Sequence, residues 1–159
     1  MCRLIGGQAT PIPGGVSSEY RPVGYQFAGF FARQSSPPPP DLPSDAVWRE
    51  ITSPFIGVGL LLPALIGKVI KEDRVMGLAE TYGLANVPTW IFLIYDCFGG
   101  QIDFVFGLGM SNGEPFGPIE DSSLARVAGS YTTLMSHFGL SEDEALAFPP
   151  FERGFWGKT

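Results

Sequence analysis

Two aspartates on a predicted β-hairpin are the residues of this chain whose spacing is best suited to chemistry. Residues 90–97 and 102–106 have the apolar composition of β-strands, and the Gly99-Gly100 pair between them can adopt the positive φ angles of a two-residue turn. That register places Asp96 opposite Asp103. Two adjacent carboxylates can act as an acid–base couple, hold a divalent cation or receive a basic side chain from a partner. The structural alternative is that both project into water beyond the sheet edge.

No other residues form a recognisable reactive group. His137 is the only histidine in the sequence, and it falls opposite the apolar stripe of its predicted helix, in the last turn, where a solvated histidine is expected. No nucleophile is placed beside it, and the glycine clusters match neither a phosphate-binding loop nor a dinucleotide-binding motif. We therefore predict no catalytic residue, no cofactor and no metal site.

The predicted hairpin register divides the strands into two apolar faces. One face holds Ile91, Leu93, Tyr95, Cys97, Ile102, Phe104 and Phe106, and the other holds Trp90, Phe92, Ile94 and Val105 and ends at the two aspartates. Both faces are apolar enough to predict a central hairpin that is covered on both sides. Trp90, Phe92, Tyr95 and Phe104 could alternatively line the pocket of a small enzyme of the lyase, isomerase or cyclase type, or of a ligand-binding protein.

The elements around the hairpin predict an α+β fold. We expect a mixed or antiparallel sheet around a central hairpin at about 90–108, with packed helices at about 63–82 and 122–138. Strands are predicted at 23–33 and 55–62, a short helix from Ser44 to Ile51, and a loop at 110–118. Ser141 begins a capping-box pattern that opens a last short helix. Aromatic residues of the C-terminal tail (Phe148, Phe151, Phe155 and Trp156) are expected to pack back onto the domain.

Composition and length favour a single domain. The 159 residues include 21 glycines and 15 prolines, which indicates many turns and excludes an all-helical bundle. We predict an irregular N-terminal arm at 1–22 and one α+β domain at 23–159. The uncharged stretch 51–67 contains prolines and glycines, so a buried strand followed by a helix is favoured over a membrane span. The proline run at 37–40 is typical of a stiff surface loop, although it also resembles an SH3-type ligand.

The negative charge is concentrated in the second half of the chain. The net charge is −6, and residues 96–159 carry nine acidic side chains against three basic ones, Arg126, Arg153 and Lys158. An acidic surface repels nucleic acid phosphates and favours a basic protein partner. Candidate partner contacts are the acidic residues Asp96, Asp103, Glu114, Glu120 and Asp121. The cytoplasm is the expected compartment.

Residues 90–139 resemble the C-terminal half of the SUKH superfamily of bacterial toxin-immunity proteins. The resemblance consists of a glycine-turn hairpin (FGGQIDFVF), a polar loop and a helix that opens with EDSSLARVAGSYTTLM. It implies a cytoplasmic protein that binds and blocks a toxin without a cofactor and without catalysis. An acidic second half would suit a basic toxin such as a nuclease. The alternatives are the small enzyme or ligand-binding protein described above, and a structural subunit of a larger complex.

Overall fold

An open antiparallel sheet is the central layer of the computed structural model, which describes residues 24–68, 70–98, 101–152 and 155–156. Within those residues the sheet has six strands in the order β2-β3-β1-β4-β5-β6. The strands are β1 (Gly24–Ala32), β2 (Val47–Ile51), β3 (Gly57–Leu61), β4 (Trp90–Phe98), β5 (Gln101–Ser111) and β6 (Glu114–Asp121). The helices are α1 (Glu72–Thr81), α2 (Val127–His137) and α3 (Glu142–Leu146). The α+β class and the antiparallel sheet are confirmed; the predicted arm at 1–22 lies outside the described residues.

Each face of the sheet has its own hydrophobic core. The first face lies under α2, α3 and the C-terminal tail, and its largest buried side chains include Phe27, Phe31, Tyr95, Tyr131 and Phe148. The second face lies under α1 and the segments beside it, and includes Phe30, Leu60, Val75, Trp90 and Phe92. Successive side chains of a strand point to opposite faces, so alternate residues of β1 and β4 enter the two cores. The prediction of a hairpin covered on both sides is confirmed for residues 90–95 of β4, but not for its end at Asp96 and Phe98.

A β-bulge in β5 changes the predicted register of the central hairpin. Phe98 pairs with Gln101 and Cys97 with Ile102, as a two-residue turn requires, but the next pair is Asp96 with Phe104. Asp103 is therefore an extra residue in β5, and the prediction that it lies opposite Asp96 is wrong. A bulge shifts every later residue of its strand by one position.

That shift exchanges the faces of β5 beyond the bulge. Val105 lies in the first core, whereas Phe104 and Phe106 pack against the second. The predicted faces are therefore correct for β4 and for Ile102, and wrong for these three residues. The aromatic side chains of β5 consequently lie on the same face as Asp96, since Asp96 follows Trp90, Phe92 and Ile94 in the alternation of β4.

Two predicted elements have a different structure. The segment predicted as a helix from Ser44 to Ile51 contains β2, which pairs with β3 at one edge of the sheet. The predicted loop at 110–118 is instead the end of β5, a tight turn and the first half of β6. Asn112 and Gly113 form that turn with φ angles of 52° and 83°, the left-handed values that a two-residue hairpin turn requires.

The remaining elements lie within the predicted ranges, but α1 and α2 both begin later than predicted. A 3-10 turn at Pro63–Leu65 begins the region predicted as the first helix, but α1 itself starts only at Glu72. Gly83, with a φ of +78°, follows the end of α1 as predicted. Ser141 and Glu144 form the capping box of α3 through two hydrogen bonds of 2.9 and 3.1 Å. The C-terminal tail packs onto the first face, where Phe148, Phe151 and Trp156 are buried.

Candidate functional site

An uncovered part of the second face carries the predicted aspartate and several aromatic side chains. We call the set Asp96, Phe98, Phe104, Phe106 and Glu120 the acidic–aromatic patch. Its members occupy adjacent positions across β4, β5 and β6, because Asp96 pairs with Phe104, Ile94 with Phe106, and Phe106 with Glu120. Residues directly opposite in an antiparallel pair have Cβ atoms about 5 Å apart. The patch therefore begins at the hairpin tip and extends to the edge strand.

Asp96 has an incomplete hydrogen-bonding environment. The residue is partly buried, and its Oδ1 atom is shielded from solvent and has no hydrogen-bond partner among the described residues. Burial raises the pKa of Asp96, a hydrogen bond from the side chain of Gln26 lowers it, and the charge of Asp103 raises it again. The net shift is upward. Because the Oδ1 atom has no accessible surface, a partner can interact with Asp96 only through the part of its side chain that solvent reaches.

The bulge keeps Asp103 within electrostatic reach of Asp96 without pairing the two residues. The Asp103 carboxylate contributes to the raised pKa of Asp96, so the two charges still interact. Asp103 is itself partly exposed. The predicted proximity of two carboxylates is thus retained, but their geometry is not that of a facing cross-strand pair.

Aromatic rings make up the apolar part of the patch. Phe98, at the end of β4 beside the hairpin tip, is 52% exposed. Phe104 and Phe106 are half-buried, and the ring of Phe106 meets that of Phe92 edge to face at 6.4 Å. α2 packs on β5 and β6 from the first face, which leaves these rings uncovered on the second. Phe98 and Phe106 were not among the residues predicted to bind a partner, because the unbulged register places Phe106 on the other face.

The other predicted acidic contacts are divided between the two faces. Glu120 is exposed on the second face opposite Phe106 and belongs to the patch. Glu114 is exposed at the other end of β6, about 20 Å away by the rise of a strand, and pairs with Ser111. Asp121 lies opposite Val105 on the first face. The structure therefore brings together Asp96, Asp103 and Glu120, but not Glu114 or Asp121.

Asp121 has a structural role at the start of α2. Its carboxylate accepts hydrogen bonds from the Ser130 hydroxyl at 2.7 Å and the Ser123 backbone N–H at 2.9 Å, and it lies 3.6 Å from the guanidinium of Arg126. These interactions lower the pKa of Asp121, the Ser130 hydrogen bond most strongly. An aspartate with these internal partners connects β6 to α2, and its carboxylate is already occupied.

The four residues of the predicted pocket do not share a wall. Trp90, Phe92 and Phe104 lie on the second face, whereas Tyr95 lies on the first face, so the backbone of the sheet separates them. Tyr95 is fully buried against Tyr131 and Phe151, with ring centroids 5.1 and 4.2 Å away. Trp90 Nε1 and the Tyr95 hydroxyl are both buried, and neither has a hydrogen-bond partner in the described part of the chain.

His137 is exposed at the end of α2, as predicted. Its ring stacks on that of Phe116 from β6, with centroids 5.1 Å apart and an angle of 16° between the planes. Through this contact the end of α2 packs against the edge strand on the first face. It lies on the opposite side of the sheet from the acidic–aromatic patch.

Comparisons with known proteins assign no family to this arrangement. Searches found no family model, curated protein or solved structure that matches the chain. In the described part of the chain, no three or more histidine, cysteine, aspartate or glutamate side chains are grouped so that they could hold a metal ion. The described helices include none that is long and apolar enough to cross a membrane.

Proposed function

We propose that this protein is an inhibitor that binds a basic protein, as an immunity protein binds a toxin. The observation that supports this most strongly is the acidic–aromatic patch. It combines the partly exposed side chain of Asp96, the exposed ring of Phe98 and the exposed side chain of Glu120 on one surface. Interfaces typically have an aromatic centre and a polar rim, and charge complementarity selects the partner.

The sequence resemblance at residues 90–139 adds independent support to the proposal. The SUKH superfamily implies a protein that acts by binding alone, and the predicted pocket residues lie on opposite faces of the sheet. The chain's net charge of −6 favours association with a basic toxin, for example a nuclease that must itself bind phosphates. We propose no catalytic step for this chain.

Co-expression with candidate basic toxins from neighbouring genes tests the proposal. The full chain is expected to restore growth to cells that produce the toxin, and to form a stoichiometric complex that weakens as salt is raised. The double variant Asp96→Lys/Glu120→Lys is expected to lose both effects. Glu114→Lys/Asp143→Lys makes the same charge change at two exposed sites outside the patch and is expected to retain them.

The outcomes of this experiment separate the alternatives. If both double variants retain binding, the patch is not the interface. If both lose it, the net charge and not the patch determines binding. A stoichiometric partner that is neutral and non-toxic would contradict the inhibitor function and favour the structural-subunit interpretation.

The proposed compartment is the cytoplasm, as the resemblance implies. Cys97 is disulfide-bonded in the structure, which counts against this compartment because cytoplasmic proteins rarely keep disulfides. The thiol state of Cys97, trapped by alkylation as the cells are opened, therefore tests the compartment. A reduced thiol supports the cytoplasm, and an intact disulfide contradicts it.

A further inference from the structure

The two carboxylates of the acidic–aromatic patch are separated by a distance that defines the partner's chemistry. Asp96 is on β4 and Glu120 is on β6, so two strand spacings lie between them, and the ladder offsets them by two residues. With about 4.8 Å between strands and 3.3 Å per residue, their Cβ atoms are about 12 Å apart. One cation cannot contact both carboxylates at this distance. Two can be held at the same time, one at each end of the patch.

The surface between the carboxylates is apolar and aromatic. Phe104 and Phe106 are two residues apart on β5, so they lie side by side on the second face between Asp96 and Glu120. Both rings are only half-buried. An aliphatic side chain placed over them would bury apolar surface from both molecules, and a guanidinium beside a ring adds a cation–π contribution.

We propose that the acidic–aromatic patch is a two-point docking surface for a partner segment with two basic side chains about 12–13 Å apart and an apolar side chain between them. One basic group pairs with the partly exposed carboxylate of Asp96, and the other pairs with Glu120. An extended segment meets this spacing when the basic residues are four positions apart, because residues i, i+2 and i+4 of a strand share one face. The proposal rests on the proposed function and specifies the partner surface that it requires.

The two carboxylates at the ends of this surface should contribute unequally to the affinity for the partner. Glu120 is exposed, and an exposed ion pair contributes only two- to fivefold in affinity, roughly, since solvent screens it. Asp96 is partly buried, so solvent screens an ion pair there less than one at Glu120. Loss of Asp96 is therefore expected to weaken binding more than loss of Glu120.

A defined pair of peptides tests the spacing without knowledge of the natural partner. The matched peptide has blocked ends, arginine at its first and last positions, leucine at its centre and threonine at the two remaining positions. The control peptide has the same five residues with the arginines adjacent, so that they point to opposite faces of an extended chain. Each is titrated into the full-length, ¹⁵N-labelled protein up to millimolar concentration, and amide chemical shifts are recorded.

The matched peptide is expected to cause saturable shifts at Asp96, Phe104, Phe106 and Glu120, with a dissociation constant at least about threefold below that of the control. Asp96→Asn should weaken binding more than Glu120→Gln, and Glu114→Gln should leave it unchanged. Equal binding of both peptides, equal weakening by Glu114→Gln, shifts elsewhere on the protein or the absence of saturable shifts would each overturn the two-point surface.

This test and the co-expression test can fail separately. If the matched peptide binds at the patch while no basic protein is neutralised by the chain, the docking surface stands and the inhibitor function is wrong. If a toxin is neutralised through residues outside the patch, the inhibitor function stands and the two-point surface is wrong.

Discussion

Substitution of two buried tyrosines by phenylalanine is expected to change the free energy of unfolding in opposite directions. Tyr95 and Tyr131 are both 0% exposed, and their rings are in contact at 5.1 Å in the core of the first face. The Tyr131 hydroxyl donates a hydrogen bond of 2.6 Å to the carbonyl oxygen of Ala145 in α3, whereas the Tyr95 hydroxyl has no hydrogen-bond partner among the residues that the structure describes. Substitution by phenylalanine removes one oxygen atom in each case. The surroundings of that oxygen therefore determine the sign of the effect.

The magnitudes follow from the hydrogen bonds. Tyr131→Phe loses a buried hydrogen bond and leaves a carbonyl group without that donor, which costs about 1–2 kcal/mol. Tyr95→Phe removes a buried polar group that has no partner and whose burial costs about 1–3 kcal/mol. A small void partly offsets this gain, so stabilisation by about 1 kcal/mol is expected. The free energies of unfolding of the two variants should therefore differ by about 2–3 kcal/mol. In thermal unfolding, each kcal/mol would shift the midpoint of a domain of this size by roughly 2–4 °C.

Urea unfolding at neutral pH, followed by tryptophan fluorescence, measures both variants on the same scale. Unchanged m-values are required, because they show that the folded and unfolded states are comparable. If Tyr95→Phe destabilises the protein as much as Tyr131→Phe, the Tyr95 hydroxyl has a hydrogen-bond partner such as a buried water, and the reasoning is refuted.

Three further predictions concern single positions. Gly77→Ala in α1 should stabilise the protein by about 0.5–1 kcal/mol, because the added Cβ meets nothing within 4 Å. Gly109→Ala should destabilise it strongly, because the added Cβ would lie 2.1 Å from the Trp90 carbonyl oxygen. Thermal unfolding compares the two variants. Arg33→Leu should destabilise by about 1–2 kcal/mol in urea unfolding, because it removes a guanidinium 5.0 and 5.7 Å from two phenylalanine rings. Asp121→Asn should reduce the stability of the protein at neutral pH but not in acid. Because the pKa of Asp121 is lowered in the folded protein, its carboxylate contributes its full stabilisation above the ordinary aspartate pKa. That stabilisation disappears as the pH falls through the lowered pKa. Equal destabilisation by Asp121→Asn at all pH values, measured by unfolding across a pH series, would contradict this assignment.

The fold class could be predicted because β4 and the helices have strong local patterns, but the register of β5 could not. A period-two pattern fixes register only when one face of a strand is polar. β5 places Phe104, Val105 and Phe106 in succession, and each is apolar enough for either face. Nothing in the sequence therefore opposes a shift by one residue, and the bulge at Asp103 is set by packing against both cores.

Two strands, β2 and β6, were not predicted from the sequence, each for a different reason. In β2, Val47 and Ile51 are four residues apart, a spacing that puts them on one side of a helix and also on one face of a strand. In β6, Pro115 and Pro118 argued against a strand, yet an edge strand tolerates prolines because half of its N–H groups make no ladder hydrogen bond. The Asn112-Gly113 pair is a strong hairpin signal and could have corrected the second error.

The start of α2 shows how a side-chain contact can move an element boundary. Apolar residues recur at three- and four-residue steps from Leu124 onward, which predicts a buried helical stripe, but Leu124 itself is 61% exposed. Asp121 binds the Ser123 backbone N–H and the Ser130 hydroxyl, and the regular helix begins only at Val127. Periodicity correctly identified Tyr131, Leu134, Met135 and Phe138 as buried, because these residues lie within or directly after the helix. The acidic–aromatic patch could not be predicted as a unit, since it depends on the bulge.

The strand order has a consequence for synthesis on the ribosome. β2-β3-β1 and β4-β5-β6 are two contiguous halves, from residues 24–61 and 90–121, and the ladder between β1 and β4 joins them. β1 is made early, but its partner strand is complete only 66 residues after Ala32, when Phe98 has been added. At about 5–20 residues per second this interval is roughly 3–13 s. During that time the β4-facing edge of an apolar strand is unpaired, so the nascent chain requires protection from aggregation until the second half emerges.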